Sequence, residues 1–265
     1  MLTVDLQRAG ISPGTRVLDV GCGGGRHAFA CAARGADVVA VDASRGELEP
    51  VAALLAAMEE AGEITAPARG AVACADLAQL PFGRASFDRI VAAEVLEHIV
   101  DDEAALGELA RVLTSDGLLV VTVPRFGPEL VNWALSAAYH EVEGGHVRIY
   151  RRRQLVGRLR RAGFDVIGSH HAHALHSPYW WLRCLVGVDN DHNPLVRAYH
   201  RVLVYDIVRR PRWLHGIERL LNPLVGKSLV LYCRPRATAL LSSPTDLARR
   251  GEGELVAAGG DRVAP

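Results

Sequence analysis

The sequence predicts an α/β fold, a largely parallel sheet covered by helices on both faces, and three observations carry that reading. Short apolar runs rich in β-branched residues alternate with helical stretches. The runs are apolar on both faces, as strands buried from two sides require. The connections are short, as right-handed crossovers between parallel neighbours need. Arg16 to Val20 is the first strand; it ends in Gly21-Cys22-Gly23-Gly24-Gly25 and passes into a helical pattern from Arg26 to Arg34. Asp37 to Val41 is the second, ending at Asp42, and the Ala- and Leu-rich helix from Glu47 to Ala61 is closed by Gly62. Ala71 to Cys74 is the third, ending near Asp76. Asp88 to Ala92 is the fourth and Gly117 to Val123 the fifth, with a helix from Asp102 to Leu113 between them.

Beyond Val123 the pattern loosens into a helix from Pro128 to Tyr139, a loop from Glu141 to Tyr150, a helix from Arg152 to Ala162 and a sixth strand from Phe164 to Ser169. The next strand, Ser228 to Cys233, arrives late. Residues 171–226 are too many for a plain connection and read as a helical cap inserted into a core of 1–170 and 227–234. From residue 235 to 265 Pro, Ala, Gly and charged residues alternate without period, the pattern of a loose tail.

Of 265 residues 49% are hydrophobic and 23% charged, a globular balance that excludes a disordered or collagenous body. Thirty basic residues offset thirty acidic ones, so no global field holds nucleic acid. The five cysteines are scattered without metal-ligand spacing and read as reduced thiols. The N-terminus lacks the basic start and apolar run of a leader, and no apolar run approaches the roughly 18 residues of a membrane span. A cytoplasmic protein is expected, with any membrane contact peripheral at the inner face.

Glycines at 21, 23 and 25 stand where a strand turns into a helix, which lets backbone amides approach a ligand. Asp42, at the end of the next strand, can accept hydrogen bonds from both hydroxyls of a ribose. Arg26 occupies the place of the third glycine in the dinucleotide fingerprint, which disfavours a pyrophosphate and hence a nicotinamide cofactor.

The segments VLDVGCGGG, VVAVD, CADLAQLPF, FDRIVAAEVLEH and GLLVVTVP, in this order over residues 14 to 170, resemble the motifs of class I S-adenosylmethionine-dependent methyltransferases, in particular the small-molecule branch with a type 11-like methyltransferase domain. The resemblance implies a Rossmann-like sheet of seven strands, mostly parallel, with the last strand antiparallel beside the sixth. It implies that Asp19, through the cofactor's ammonium group, and the loop of Gly21, Gly23 and Gly25 hold the methionine end of S-adenosyl-L-methionine. Asp42 takes the ribose, Asp76 and the backbone at Leu77 face the adenine, and Glu94 lies beside the cofactor where the site opens. Two alternatives stand beside these roles: Asp76 capping the turn before Leu80-Pro81, and Glu94 opening the following helix as an N-terminal carboxylate. Asp88 reads as structural.

Methyl transfer to a hydroxyl needs a base, and histidine suits it. Of eleven histidines, His146, in GGHVRIY on the edge where substrate enters, is the first candidate. His98, after Glu97 beyond the fourth strand, is the second, with a packing role as its alternative; Tyr139 and His140 are lesser pocket candidates. His170, His171, His173 and His176 invite a metal reading, but they straddle a strand end without an accompanying carboxylate or thiol motif, so no metal is expected. In the cap, basic residues outnumber acidic ones and are interleaved with Trp180, Trp181, Trp213 and several tyrosines. A lid over the site explains this, and so does a basic amphipathic surface that rests on anionic lipid.

The expectation is methyl transfer to a small-molecule or lipid-linked acceptor at oxygen. Carbon methylation of a quinone-like ring is the nearest alternative, and a nicotinamide-dependent oxidoreductase or a cofactor-binding protein without turnover the more distant ones. Ala93-Glu94-Val95-Leu96 stands where methyltransferases acting on nucleic-acid bases carry NPPY or DPPY. The oligomeric state is left open.

Overall fold

A computed structural model describes residues 2–65, 67–139, 146–209 and 211–236. Its centre is one seven-stranded sheet: β1 (Arg16–Val20), β2 (Asp37–Asp42), β3 (Gly70–Cys74), β4 (Phe87–Ala93), β5 (Leu113–Pro124), β6 (Phe164–Ala172) and β7 (Ser228–Pro235) in the order β3-β2-β1-β4-β5-β7-β6. All neighbours are parallel except β7, which runs antiparallel to β5 and β6.

Successive strand residues feed two cores, as the two-residue period of a strand dictates. Val17, Val120, Val230 and Tyr232 pack on one face under α1 (Arg26–Ala32), α2 (Arg45–Glu60) and the N-terminal residues Val4, Leu6 and Ile11. Leu18, Val121, Leu229 and Leu231 pack on the other under α3 (Asp102–Val112) and α5 (Arg152–Arg161). Ser44 caps α2 by accepting the Glu47 N–H, and Asp101 caps α3 by accepting that of Ala104. Asp88 is structural, as expected: its carboxylate takes the backbone and guanidinium N–H groups of Arg16.

The strand edges differ from expectation where pairing overrides local preference. The sixth strand runs three residues past Ser169, through His170 and His171, because the ladder with β7 extends from Phe164↔Pro235 to Ala172↔Ser228. β7 likewise continues to Pro235, and the Arg236 N–H donates to the Gly163 carbonyl, so the chain is still tied to the core where a tail was expected; residues 237–265 of that expected tail lie outside the described residues. The expected helix from Pro128 to Tyr139 is instead α4 (Phe126–Leu135) followed by a separate 3₁₀ turn, Ala137–Tyr139.

Between β6 and β7 lie α6 (His176–Val186), α7 (Pro194–Arg209) and α8 (Arg212–Val225), with a small core of Tyr179, Val196 and Leu203. The indole N–H of Trp181 donates to the Pro128 carbonyl, which fixes α6 against α4.

His27, on α1, is buried and its Nε2 lies 3.3 Å from the Thr3 amide N–H it accepts, a role only the neutral ring can fill. Burial, reinforced by Arg26 and the N-terminal ammonium, pushes it down to about 3. Between that value and the unfolded ~6.5 only the unfolded chain binds the proton. Stability is therefore intact above about pH 6.5 and falls as pH drops, by up to ~1.4 kcal/mol per pH unit from this group. Urea unfolding followed across that range should show a shallower fall for H27Q than for the wild type; equal slopes would rule His27 out as the cause.

Candidate active site

The strand order reverses between β1 and β4: the chain winds outward from β1 in one direction and from β4 in the other. The crevice at their carboxyl ends is where a doubly wound sheet leaves room for a ligand. The glycine loop lies on one side of it and Glu94 on the other.

The three glycines serve different ends. A Cβ on Gly21 would stand 2.4 Å from Val95 Cγ2, so Gly21 lets the loop after β1 pack against the loop after β4. On Gly25 it would collide with Phe29 at 2.7 Å. Gly23, by contrast, has φ +47 and nothing within 4 Å of a Cβ, so its surroundings are open. The Gly23 amide donates to Asp42 Oδ2 at 3.0 Å and the Ser44 amide to Asp42 Oδ1 at 2.9 Å. The Asp42 carboxylate is thus clamped to the loop with lone pairs remaining on both oxygens. Asp19, 2% exposed, accepts the Ala28 N–H at 3.0 Å, satisfying one of the amides left over in the first turn of α1. Burial pushes its carboxyl up to about 7.

Asp76 is exposed at the end of β3, and its Oδ1 accepts the Ala78 N–H at 2.8 Å, the turn-capping alternative read from the sequence. The Leu77 side chain is buried in the core behind it. Glu94 has φ +57, a left-handed conformation that side chains rarely adopt, and its Oε1 accepts the Thr122 hydroxyl at 3.0 Å. The strain falls at the mouth of the crevice.

The two candidate bases come together. The 3₁₀ turn Leu96–His98 carries His98, and the Val147 N–H donates to the Glu97 carbonyl, which draws His146 alongside; the two imidazoles are 4.9 Å apart. Arg148, two residues on, pairs with Asp102 at 2.7 Å, and the Tyr150 hydroxyl donates to the same buried carboxylate, so the segment after His146 is pinned to α3. His146 Nδ1 lies 2.7 Å from Glu129 Oε1.

Glu129 is the residue that sequence reasoning missed. It is 1% exposed on α4 and is also met by Asn132 Nδ2, Trp133 Nε1 and the Tyr139 hydroxyl at 3.2 to 3.3 Å. Burial alone would raise its pKa, but His146, Lys227 and Asn132 together hold it below the ordinary carboxylate value. The signal was present: Glu129 is the one charged residue in FGPELVNWAL. Tyr139 is 5.6 Å from Trp180, and the Lys227 ammonium lies over the Trp180 ring, so α6 packs against the Glu129 cluster. His140 lies outside the described residues.

Glu97 is 1% exposed and neither carboxyl oxygen has a hydrogen-bond partner; burial and then the charge of Glu94 raise it well above the carboxylate range. Glu97, His98 and His146 each offer a ligand atom within 4.8 Å of the others. Of the four clustered histidines, His170 stacks on Tyr232 and His171 is half-buried elsewhere on β6, while His173 and His176 converge with rings 5.3 Å apart. The carboxylate missing from their sequence neighbourhood is supplied by Glu218 of α8.

The family model described as a methyltransferase domain matches residues 3–169. An O-methyltransferase of Aspergillus sclerotiorum is 32% identical over 51% of this chain and 49% of its own length. A ubiquinone biosynthesis O-methyltransferase of Alkalilimnicola ehrlichii is 34% identical over 47% and 48%, and a demethylmenaquinone methyltransferase of a Parafrankia species is 38% identical over 45% and 50%. The chain spans about half the length of these curated relatives. Among solved structures, the YcgJ protein of Bacillus subtilis has a TM-score of 0.55 at 18% identity, covering 87% of this chain and 96% of that one. The cyclase SpnF has a TM-score of 0.56 at 21% identity, covering 87% and 79%. These two share the fold and say nothing of the reaction. The expected seven-stranded, mostly parallel sheet, its antiparallel last strand beside the sixth and the ordered motifs along residues 14 to 170 are all present, and the chain belongs to the family of methyltransferase domains.

Proposed function

We propose that this protein transfers a methyl group from S-adenosylmethionine to an oxygen of a small-molecule or lipid-linked acceptor. The observation that carries the reading is the His146–Glu129 pair at the rim of the crevice. The residues of the crevice fit the cofactor: a clamped carboxylate with lone pairs on both oxygens at Asp42, a buried carboxylate at Asp19, and open space beside Gly23. In this reading Asp42 takes the two ribose hydroxyls, Asp19 the ammonium group, and the turn at Asp76 and Leu77 the adenine. The cofactor supplies a methyl group on a sulfonium, an electrophile open to in-line displacement.

Glu129, held ionised, accepts the Nδ1–H of His146 and so presents Nε2 as the basic nitrogen toward an acceptor hydroxyl. Tyr139 is held protonated by burial and the Glu129 charge and donates to Glu129, which removes it as a competing base. Methylation at the carbon of a quinone-like ring remains the alternative, and the names of the relatives span both reactions. A second reading of the same pocket rests on the unpartnered oxygens of Glu97: a divalent cation held by Glu97, His98 and His146 would acidify the acceptor hydroxyl directly.

The cap supports an acceptor drawn from a lipid surface. Trp213, Ile217, Leu220 and Leu224 form one stripe on α8 and are 62%, 42%, 76% and 71% exposed, flanked by the exposed Arg212 and Arg219. Among the described residues no helix is long and apolar enough to cross a membrane, so this contact is peripheral.

D42A should weaken binding of S-adenosylhomocysteine by about 1–3 kcal/mol in calorimetry, the value of hydrogen bonds to a charged acceptor; an unchanged Kd would remove Asp42 from the ribose site. H146A should lower kcat by roughly 10² to 10⁴ with cofactor affinity intact. A change confined to the acceptor KM would make His146 a pocket wall, and a rate abolished by a chelator in both the wild type and E218Q would favour the cation reading. The double variant L220E/L224E should lose cosedimentation with anionic phospholipid vesicles while keeping its Tm; equal binding by both proteins would leave the cap as a lid alone.

A further inference from the structure

A second cluster of titratable groups stands where the turn after β6 meets α8, and methyl transfer makes no use of it. His173 follows β6 with φ +65, His176 opens α6, and Glu218 comes from the middle of α8. Each offers a ligand atom within 4.8 Å of the other two. His176 Nδ1 and Glu218 Oε1 are shut off from solvent without a hydrogen-bond partner, which is rare for buried polar atoms. Asp206 Oδ1 also lacks a hydrogen-bond partner among the described residues, with His215 Nε2 3.5 Å away, so two carboxylates share this corner. His173, Asp206 and Glu218 border a cavity of about 900 Å³ beneath the N-terminal residues, and the Thr3 hydroxyl lies 3.0 Å from His173 Nε2.

We propose that His173, His176 and Glu218 bind a divalent transition-metal ion of the zinc class, which fastens cap helix α8 to the turn after β6. Two imidazoles and a carboxylate are a donor set that zinc takes with a fourth position open, and the cavity admits water there. Zinc bonds of ~2.0–2.1 Å place neighbouring ligand atoms ~3.3 Å apart in a tetrahedron, a closure within reach of side-chain torsions. The ion would satisfy both orphaned atoms at once. It would also add to a junction already tied by two hydrogen bonds: Asn222 Oδ1 accepts the Ala174 N–H at 3.0 Å, and the Ser177 hydroxyl donates to the Val225 carbonyl at 2.6 Å. Binding links to folding, so the ion stabilises the native chain in proportion to its affinity.

The test titrates metal-stripped full-length protein with Zn²⁺, followed by Tm, and with Co²⁺, followed by its visible absorption, for the wild type, E218Q, H176Q and H98A. E218Q and H176Q should each lose one equivalent of four-coordinate Co²⁺ and the accompanying rise in Tm, while H98A keeps both. E218Q preserves shape and removes only the charge, so its metal-free Tm serves as the folding check. A Zn²⁺ response retained in E218Q and H176Q, or lost in H98A alone, would move the ion to the pocket of Glu97 and overturn the proposal. No response in the wild type would mean that water alone bridges the cluster.

Discussion

The placement of β7 between β5 and β6 is the constraint from which the position of the cap follows. Ser228 pairs with Pro124 on one side and Ala172 on the other, and the Arg125 N–H donates to the Lys227 carbonyl at 2.7 Å. The whole run of α6, α7 and α8 therefore leaves and rejoins the sheet at one point. That point is the carboxyl end of β5, beside the crevice. Antiparallel pairing of so many residues fixes the register, because a one-residue slip would turn Leu229 and Leu231 from one core to the other. The two ends of the cap are thus held beside the crevice by backbone hydrogen bonds, to which the side chains of Trp181, Asn222 and Ser177 add further ties.

The same edge gathers buried charge. Glu97 and Glu129 are buried and Glu218 is half-buried with one oxygen shut off from solvent, and each stands differently toward its surroundings. Glu129 is supplied with donors and stays below the ordinary range; Glu97 has none and is raised by burial and Glu94; Glu218 is raised by burial and Asp206. Native domains are stabilised by only ~5–15 kcal/mol in total, and apolar residues of similar size often pack at least as well as buried carboxylates. The positive charge of Lys227, the single lysine of the chain, favours the ionised forms of Glu97 and Glu129 and the neutral rings of His173 and His176.

How much of this was legible in the sequence depended on how local the signal was. Strand, glycine loop and helix follow one another within residues 16 to 32, and Asp42 lies at the end of the next strand, so the placement of these elements could be read from order alone. His98 and His146 were singled out because both fall after strand ends, and the structure brings their rings within 4.9 Å of each other. Glu129 was passed over although its isolation in an apolar helix marks it, because nothing in the spacing says that α4 turns it toward His146. Glu218 could not be read at all: it meets His176 only through the fold of α8 onto β6. The strand ends at Ala172 and Pro235 were missed for a related reason, since histidine, proline and arginine are poor strand residues until a partner strand supplies the ladder.

Because the cap's two ends meet across a single residue, Ser228, the cap behaves toward the sheet as one closed loop. The entropy of closing a loop rises only as the logarithm of its length, so lengthening, shortening or exchanging the helices between Ala172 and Ser228 costs the core little. The helices between Ala172 and Ser228 can therefore be exchanged as one cassette, while the strands and the glycine loop stay as they are.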